Sequence, residues 1–120
     1  MRRRVVACLG DSLTDANAGR CNVHTSGMWP SLLQQALGER SFEVQNFGAS
    51  GVPAIHYHDW GPLSEALRVQ PDAVVIMLGT NDAWCWNEEW YRHALTHMIA
   101  SFKSLSVAPS MILLLVPPPL

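Results

Sequence analysis

The chain predicts an α/β fold: a three-layer α/β/α domain built on a parallel sheet. Two observations carry this. Short apolar runs alternate with helix-period segments along the whole chain, in the order strand, helix, strand, helix, strand, helix, strand; that alternation gives a parallel sheet with helices on both faces. The runs Val5-Val6-Ala7-Cys8-Leu9 and Ala73-Val74-Val75-Ile76-Met77-Leu78 are apolar throughout, as strands covered on both sides are. With 120 residues, 48% of them hydrophobic, the sequence suits one domain (1–120) around one real core.

Taken in order, residues 4–9 form the first strand, central because both its faces are apolar. Residues 14–26 are polar, contain glycine and show no period, which predicts a loop over the mouth of a site. Trp29, Leu32, Leu33, Ala36 and Leu37 recur at helical spacing, with Pro30 in the first turn and Gly38 as the stop. Phe42 and Val44 alternate with Glu43 and Gln45, a half-exposed strand nearer an edge. Residues 48–61 read as loop, and residues 62–68 as a short helix with Leu63, Ala66 and Leu67 apolar. Gln70-Pro71-Asp72 breaks the chain before the third strand at residues 73–78. Asn87 is a helix cap, Glu88 and Glu89 suit the positive helix start, and Tyr91, Leu95, Met98, Phe102 and Leu105 form the apolar stripe. Residues 111–116 are the fourth strand, ended by prolines that cannot donate ladder hydrogen bonds. Right-handed crossovers permit the flavodoxin-like strand order 2-1-3-4, with a switch point between the first and third strands.

Composition excludes several classes. A net charge of −2 and one basic cluster, Arg2-Arg3-Arg4, argue against a nucleic-acid partner. The apolar run after those arginines is shorter than the roughly 7–15 residues of a signal-peptide core, and no small-residue cleavage site follows. No run reaches the roughly 18 apolar residues of a membrane span, so the expectation is a soluble, cytoplasmic protein. Cys8, Cys21 and Cys85 have no paired or metal-like spacing and read as free thiols, Cys8 in the core. No cofactor is indicated, and oligomeric state stays open.

The stretch Gly10-Asp11-Ser12-Leu13-Thr14 sits where the first strand ends, the edge at which open α/β sheets bind ligands. A serine there is a weak nucleophile without a base, and Asp-Ser is also common in turns and caps. Asn46-Phe47-Gly48-Ala49-Ser50-Gly51 follows at the second strand and Gly79-Thr80-Asn81-Asp82 at the third. Gly-Asp-Ser-Leu, Asn-x-Gly-x-Ser-Gly and Gly-x-Asn-Asp, in this order, resemble the motifs of the SGNH hydrolases, also called GDSL lipases and esterases. The resemblance implies an ester hydrolase acting on a short-chain acyl or carbohydrate ester. It implies Ser12 as nucleophile, and an oxyanion hole from the Ser12 N–H, the Gly48 N–H and the Asn81 side chain. Gly10, Asp11, Gly79 and Asp82 would support them. The chemistry is coherent: glycine admits close approach of a carbonyl, and an amide donates without a titrating charge. The bland alternative is that Gly48 and Gly79 make turns and Asn81 caps a loop. Asp11 has no histidine near it in sequence and reads as a turn or helix-start residue. Ser50 reads as a loop cap; Val52 stands where a Gly-x-Ser-x-Gly elbow needs glycine.

The family's fourth motif, Asp-x-x-His, occurs nowhere in the 120 residues. His24, His56 and His58 lie in loops at the right sheet edge, with Asp59 as an orienter, but read as exposed loop residues. His56 and His58 alone make a poor metal site. Glu89, His93 and His97, spaced i, i+4, i+8, read as a solvated helix face. Trp84 and Trp86 either wall an acyl or sugar pocket or pack on their loop. A fourth strand apolar on both faces makes an aggregation-prone edge. The expectation is therefore a chain cut one strand and one helix early, its last strand absent, nearly inactive by itself. The competing expectation is a non-catalytic binding protein that keeps the pocket without a base. A nucleotide or response module is weaker, since no Gly-x-Gly-x-x-Gly follows a strand.

Overall fold

The computed structural model describes residues 2–15 and 28–118. The expected loop over residues 14–26 lies mostly outside the described residues, as do His24 and Cys21. Four strands, β1 (Arg4–Gly10), β2 (Phe42–Gly48), β3 (Ala73–Met77) and β4 (Met111–Leu114), form one parallel sheet in the order β2-β1-β3-β4. The expected order 2-1-3-4 is the observed one. The helices are α1 (Trp29–Leu37), α2 (Tyr57–Trp60), α3 (Leu63–Arg68) and α4 (Glu88–Lys103).

Alternation along β1 assigns the two faces. Ala7 and Leu9 meet Val74 and Ile76 of β3 in the larger cluster, with Leu63 and Ala66 from α3 and Met98 and Phe102 from α4. Val6 and Cys8 point the other way, to Val75 and, from α1, Trp29 and Leu33. So α1 covers one face and α3 with α4 the other, giving three layers. The reversal at β1 follows from handedness. A right-handed crossover from β1 to β2 runs outward on one face; the crossover from β2 over β1 to β3 must use the opposite face. Cys8 is fully buried, and burial pushes its thiol up to about 12.

Asn87 caps α4 as expected, its Oδ1 accepting the Trp90 N–H at 3.0 Å. Residues 48–61 correct the sequence reading. They carry a 3-10 turn at Ala54–His56 followed by α2, not a loop throughout. Tyr57 is the reason: it is fully buried, and its hydroxyl donates to the Phe47 carbonyl, which ties the segment to the end of β2. β4 is an edge strand, with Met111, Leu113 and Leu114 exposed on it.

Asp72 splices the amino ends of three strands. Its Oδ2 accepts the Val5 N–H at 2.7 Å, its backbone N–H donates to Val5 O at 2.8 Å, and its carbonyl accepts the Ser110 N–H at 2.8 Å. Arg2 holds the carboxylate at 2.9 and 3.0 Å. The Arg2 guanidinium and then the Val5 N–H hold this carboxyl below its ordinary range. A depressed folded pKa gives stability that is present above the unfolded value and lost as pH falls through the folded one. Asp72→Ala is therefore expected to lower stability most at neutral pH. In urea unfolding, its gap from the natural chain should narrow as pH falls from neutral through and below the ordinary carboxylate range; a gap of constant size would refute this role.

Candidate active site

Strand register decides which turns meet. Gly10, closing β1, stands opposite Gly48, closing β2, and opposite Met77, closing β3. The turns bearing Ser12, Ala49 and Asn81 thus leave neighbouring strands at one level. The Ala49 N–H donates to Gly10 O at 2.8 Å, carrying the pairing one residue beyond β2.

The turn after β1 is built on Asp11. This residue is buried, and its Oδ1 accepts the Leu13 N–H at 2.9 Å. Its carbonyl accepts the N–H of Thr14 at 3.0 Å and of Asp15 at 2.8 Å. Asp11 is the turn residue the sequence predicts, and Ser12 beside it is exposed. Thr14 is buried; its Oγ1 accepts the Trp29 indole N–H at 2.9 Å and its carbonyl accepts from the Asn46 amide at 2.6 Å. Two glycines make room for this turn. A Cβ on Gly10 would lie 2.0 Å from Thr14 Oγ1, and one on Gly48 would lie 2.3 Å from Asp15 N. Ser50 fastens the far side, its hydroxyl donating to Asp15 Oδ2 at 3.0 Å.

Asn46 is the residue whose part sequence reasoning missed. Besides its bond to Thr14, its Oδ1 accepts the Gly48 N–H at 2.8 Å. Asn81 opens a 3-10 turn, Asn81–Cys85, and one N–H of its amide donates to Val52 O at 3.3 Å. Asp82 is buried and faces the segment after β2. Its Oδ2 accepts the Ala54 N–H at 2.8 Å and its Oδ1 the Ile55 N–H at 3.3 Å. Gly79 has φ +142°, with Tyr91 Oη 3.0 Å and Pro117 Cγ 3.1 Å from where its Cβ would be. Burial, then the charge of Asp82, raise the Asp11 carboxyl above its ordinary value, against the Leu13 N–H.

A cavity of about 350 Å³ adjoins this edge, lined by Gly79, Thr80, Trp86, Tyr91 and Pro117. Of the two expected wall residues, Trp86 lines it, and Trp84 is 85% exposed. Among the described residues no hydrogen bond joins Ser12 to a histidine. His58 pairs with Asp59 at 3.1 Å, both about half exposed. Glu89, His93 and His97 are exposed, as the solvated-face reading expects, and His93 and His97 also line a second cavity with His56 and His58. The i, i+4 spacing signalled a shared face; the partners from residues 54–60 had no signal in sequence. Among the described residues no group of three or more His, Cys, Asp or Glu is arranged to hold a metal ion, and no helix is long and apolar enough to cross a membrane.

A parallel α/β/α sheet with three motif-bearing turns at one edge defines the class. The model of the GDSL-like lipase/acylhydrolase family matches residues 8–120. The chain belongs to that family, the SGNH hydrolases. It is 35% identical over 107 residues to an acetylxylan esterase of Xylanibacter ruminicola, a match covering 82% of this chain and 22% of that enzyme. Among solved structures, a carbohydrate acetylesterase family member from Sinorhizobium meliloti superposes with a TM-score of 0.73 at 27% identity, covering 98% of this chain and 64% of that one. An acetylxylan esterase from Geobacillus stearothermophilus shares the fold, with a TM-score of 0.70 at 23% identity over 94% of this chain and 59% of that one. The chain therefore spans less than two thirds of the length of each.

Two outcomes follow from the packing and the charges. Gly48→Ala should destabilise the fold by about 1–3 kcal/mol, since the new methyl meets backbone that must shift; urea unfolding reads this, and an unchanged midpoint would show that the Asp15 turn yields freely. Asp82→Asn should lower the Asp11 pKa, because it removes the neighbouring charge. Carbon-detected NMR titration of Asp11 measures that shift, and an upward or absent shift contradicts the coupling.

Proposed function

We propose that Ser12 is the nucleophile of an ester hydrolase that removes acetyl groups from a carbohydrate. The observation carrying this is the common level of Gly10, Gly48 and Met77, from which an exposed Ser12 emerges beside the turns of Gly48 and Asn81. Membership of the family and the acetylesterase names of its relatives support the substrate class. In this reading Ser12 Oγ attacks the ester carbonyl while a base takes its proton. The developing oxyanion is met by the N–H groups of Ser12 and Gly48 and by the Asn81 amide. One such donor contributes about 2.7–4 kcal/mol in the transition state. Gly10 and Gly48 leave space for the Ser12 turn, Asp11 shapes it, and Gly79 and Asp82 set the Asn81 turn.

The base belongs, in this proposal, outside the described residues, since none of the histidines described is bonded to Ser12. Loss of the base in a serine triad lowers kcat by about 10⁶ in the subtilisin example. Because the 120 residues hold no Asp-x-x-His, they should by themselves turn over slowly in this reading. A second reading, a binding protein that keeps the pocket without chemistry, is favoured by the same observation, that among the described residues no histidine is bonded to Ser12.

Acetate release from an acetylated xylo-oligosaccharide and from para-nitrophenyl acetate separates the two. The hydrolase reading expects slow release by the 120-residue chain, removed by Ser12→Ala. Release identical in the natural chain and in Ser12→Ala would end the nucleophile assignment and leave the binding reading. Rates typical of enzymes, about 1–10³ s⁻¹, would instead refute the expected near-inactivity.

A further inference from the structure

A second cavity, of about 380 Å³, lies between the segment after β2 and the first half of α4. Its size falls in the range of small-molecule pockets, roughly 300–1,000 Å³. Four of its lining residues are histidines: His56 and His58 from one side, His93 and His97 from the other. Trp90 lines it too, and Ile55 and Ala94 supply apolar surface. His58 and His97 meet edge to face across it, ring centroids 5.7 Å apart. His56 stacks on Trp60 at 3.9 Å and keeps a buried Nδ1 with no hydrogen-bond partner.

The lining selects a ligand by chemistry. The imidazoles bring donor and acceptor nitrogens to a wall that is otherwise apolar, with His58 Nε2 already paired to Asp59. A purely apolar chain would leave unpaired any free nitrogen it covered, at about 1–3 kcal/mol each. A metal ion is disfavoured because the described histidines, acids and thiols form no three-ligand group. A sugar ring matches: its hydroxyls both donate and accept, and its C–H face suits an indole and small apolar residues. Trp90 is 61% exposed and so has ring surface open to such a face.

We propose that this histidine-lined pocket is a second subsite that holds an unmodified sugar unit of the carbohydrate substrate. This rests on the acetylated-carbohydrate reading of the Ser12 site. Asp82 links the two: it holds the N–H groups of Ala54 and Ile55, which immediately precede His56.

The test is binding, free of any need for turnover. Xylotetraose without acetyl groups is titrated into the natural chain by calorimetry near neutral pH. Saturable binding is expected, weakened at least about tenfold, or 1.4 kcal/mol, by Trp90→Ala and by His93→Ala. Both positions are exposed on α4, and thermal melts confirm that each variant folds. Trp84→Ala, at an exposed indole outside the pocket, should bind as the natural chain does. Ser12→Ala should also bind, which keeps this proposal apart from the esterase reading: acetate release can fail while the pocket still holds xylotetraose. Absence of binding, equal affinity in Trp90→Ala and His93→Ala, or loss in Trp84→Ala or Ser12→Ala would overturn the subsite. Tighter binding of an oligogalacturonate, strengthening as pH falls, would overturn the neutral sugar in favour of an acidic one.

Discussion

The absence of side chains at Gly10 and Gly48 is the constraint on which this sheet edge depends. β1 is paired on both sides, so its carboxyl end is walled by β2 and β3. The chain can fold back there only over bare backbone. Thr14 and Asp15 do so, lying where a Cβ of either glycine would be. The Asn46 amide then seals the contact by donating to Thr14 O. A turn held this closely on its inner side leaves Ser12 outside. Exposure of the serine is thus a consequence of close packing beneath it, not of looseness.

Two buried carboxylates frame the same edge, and they are treated differently. Asp82 receives two backbone N–H groups from the segment after β2, which offset the cost of burying its charge. Asp11 receives one from its own turn, at Leu13, and its carboxyl is raised. Burial dominates that shift, and Asp82 adds to it through charge alone. In the proposed reaction an oxyanion would develop near both of these carboxyl groups, which argues for several converging N–H groups over one.

How far the sequence could be read follows from which interactions are local. Strand order, both helix faces and the α4 cap were legible because alternation, helical period and Asn87 act within a few residues. The three motifs placed their turns correctly, because parallel register carries strand ends to one level whatever lies between. Residues 54–60 were misread for the opposite reason. Tyr57 is held by burial against elements distant in sequence and by the Phe47 carbonyl, and neither leaves a periodic signal. The histidine pocket was hidden likewise. His93 and His97 are one turn apart and visibly share a face, but His56 and His58 reach them only through the tertiary fold. Asn46 shows its part only in the fold, since one of its two hydrogen bonds runs to Thr14 of the turn after β1, while the other stays local, with the Gly48 N–H two residues on.

Those bonds bear on how the proposed oxyanion donors would work. The Gly48 N–H is taken by Asn46 Oδ1, and the Asn81 amide spends one N–H on Val52 O. Both acceptors are neutral. A substrate carbonyl, also neutral, gains little by displacing them, because one ordinary hydrogen bond replaces another. An oxyanion is a charged acceptor, and charge-assisted hydrogen bonds are roughly twice as strong. Exchange of partners would then favour the charged state over the ground state. Selective stabilisation of that kind raises kcat, whereas donors standing free would also bind the uncharged ester and only lower KM. Donors held by neutral partners would in that way suit the proposed site to the transition state.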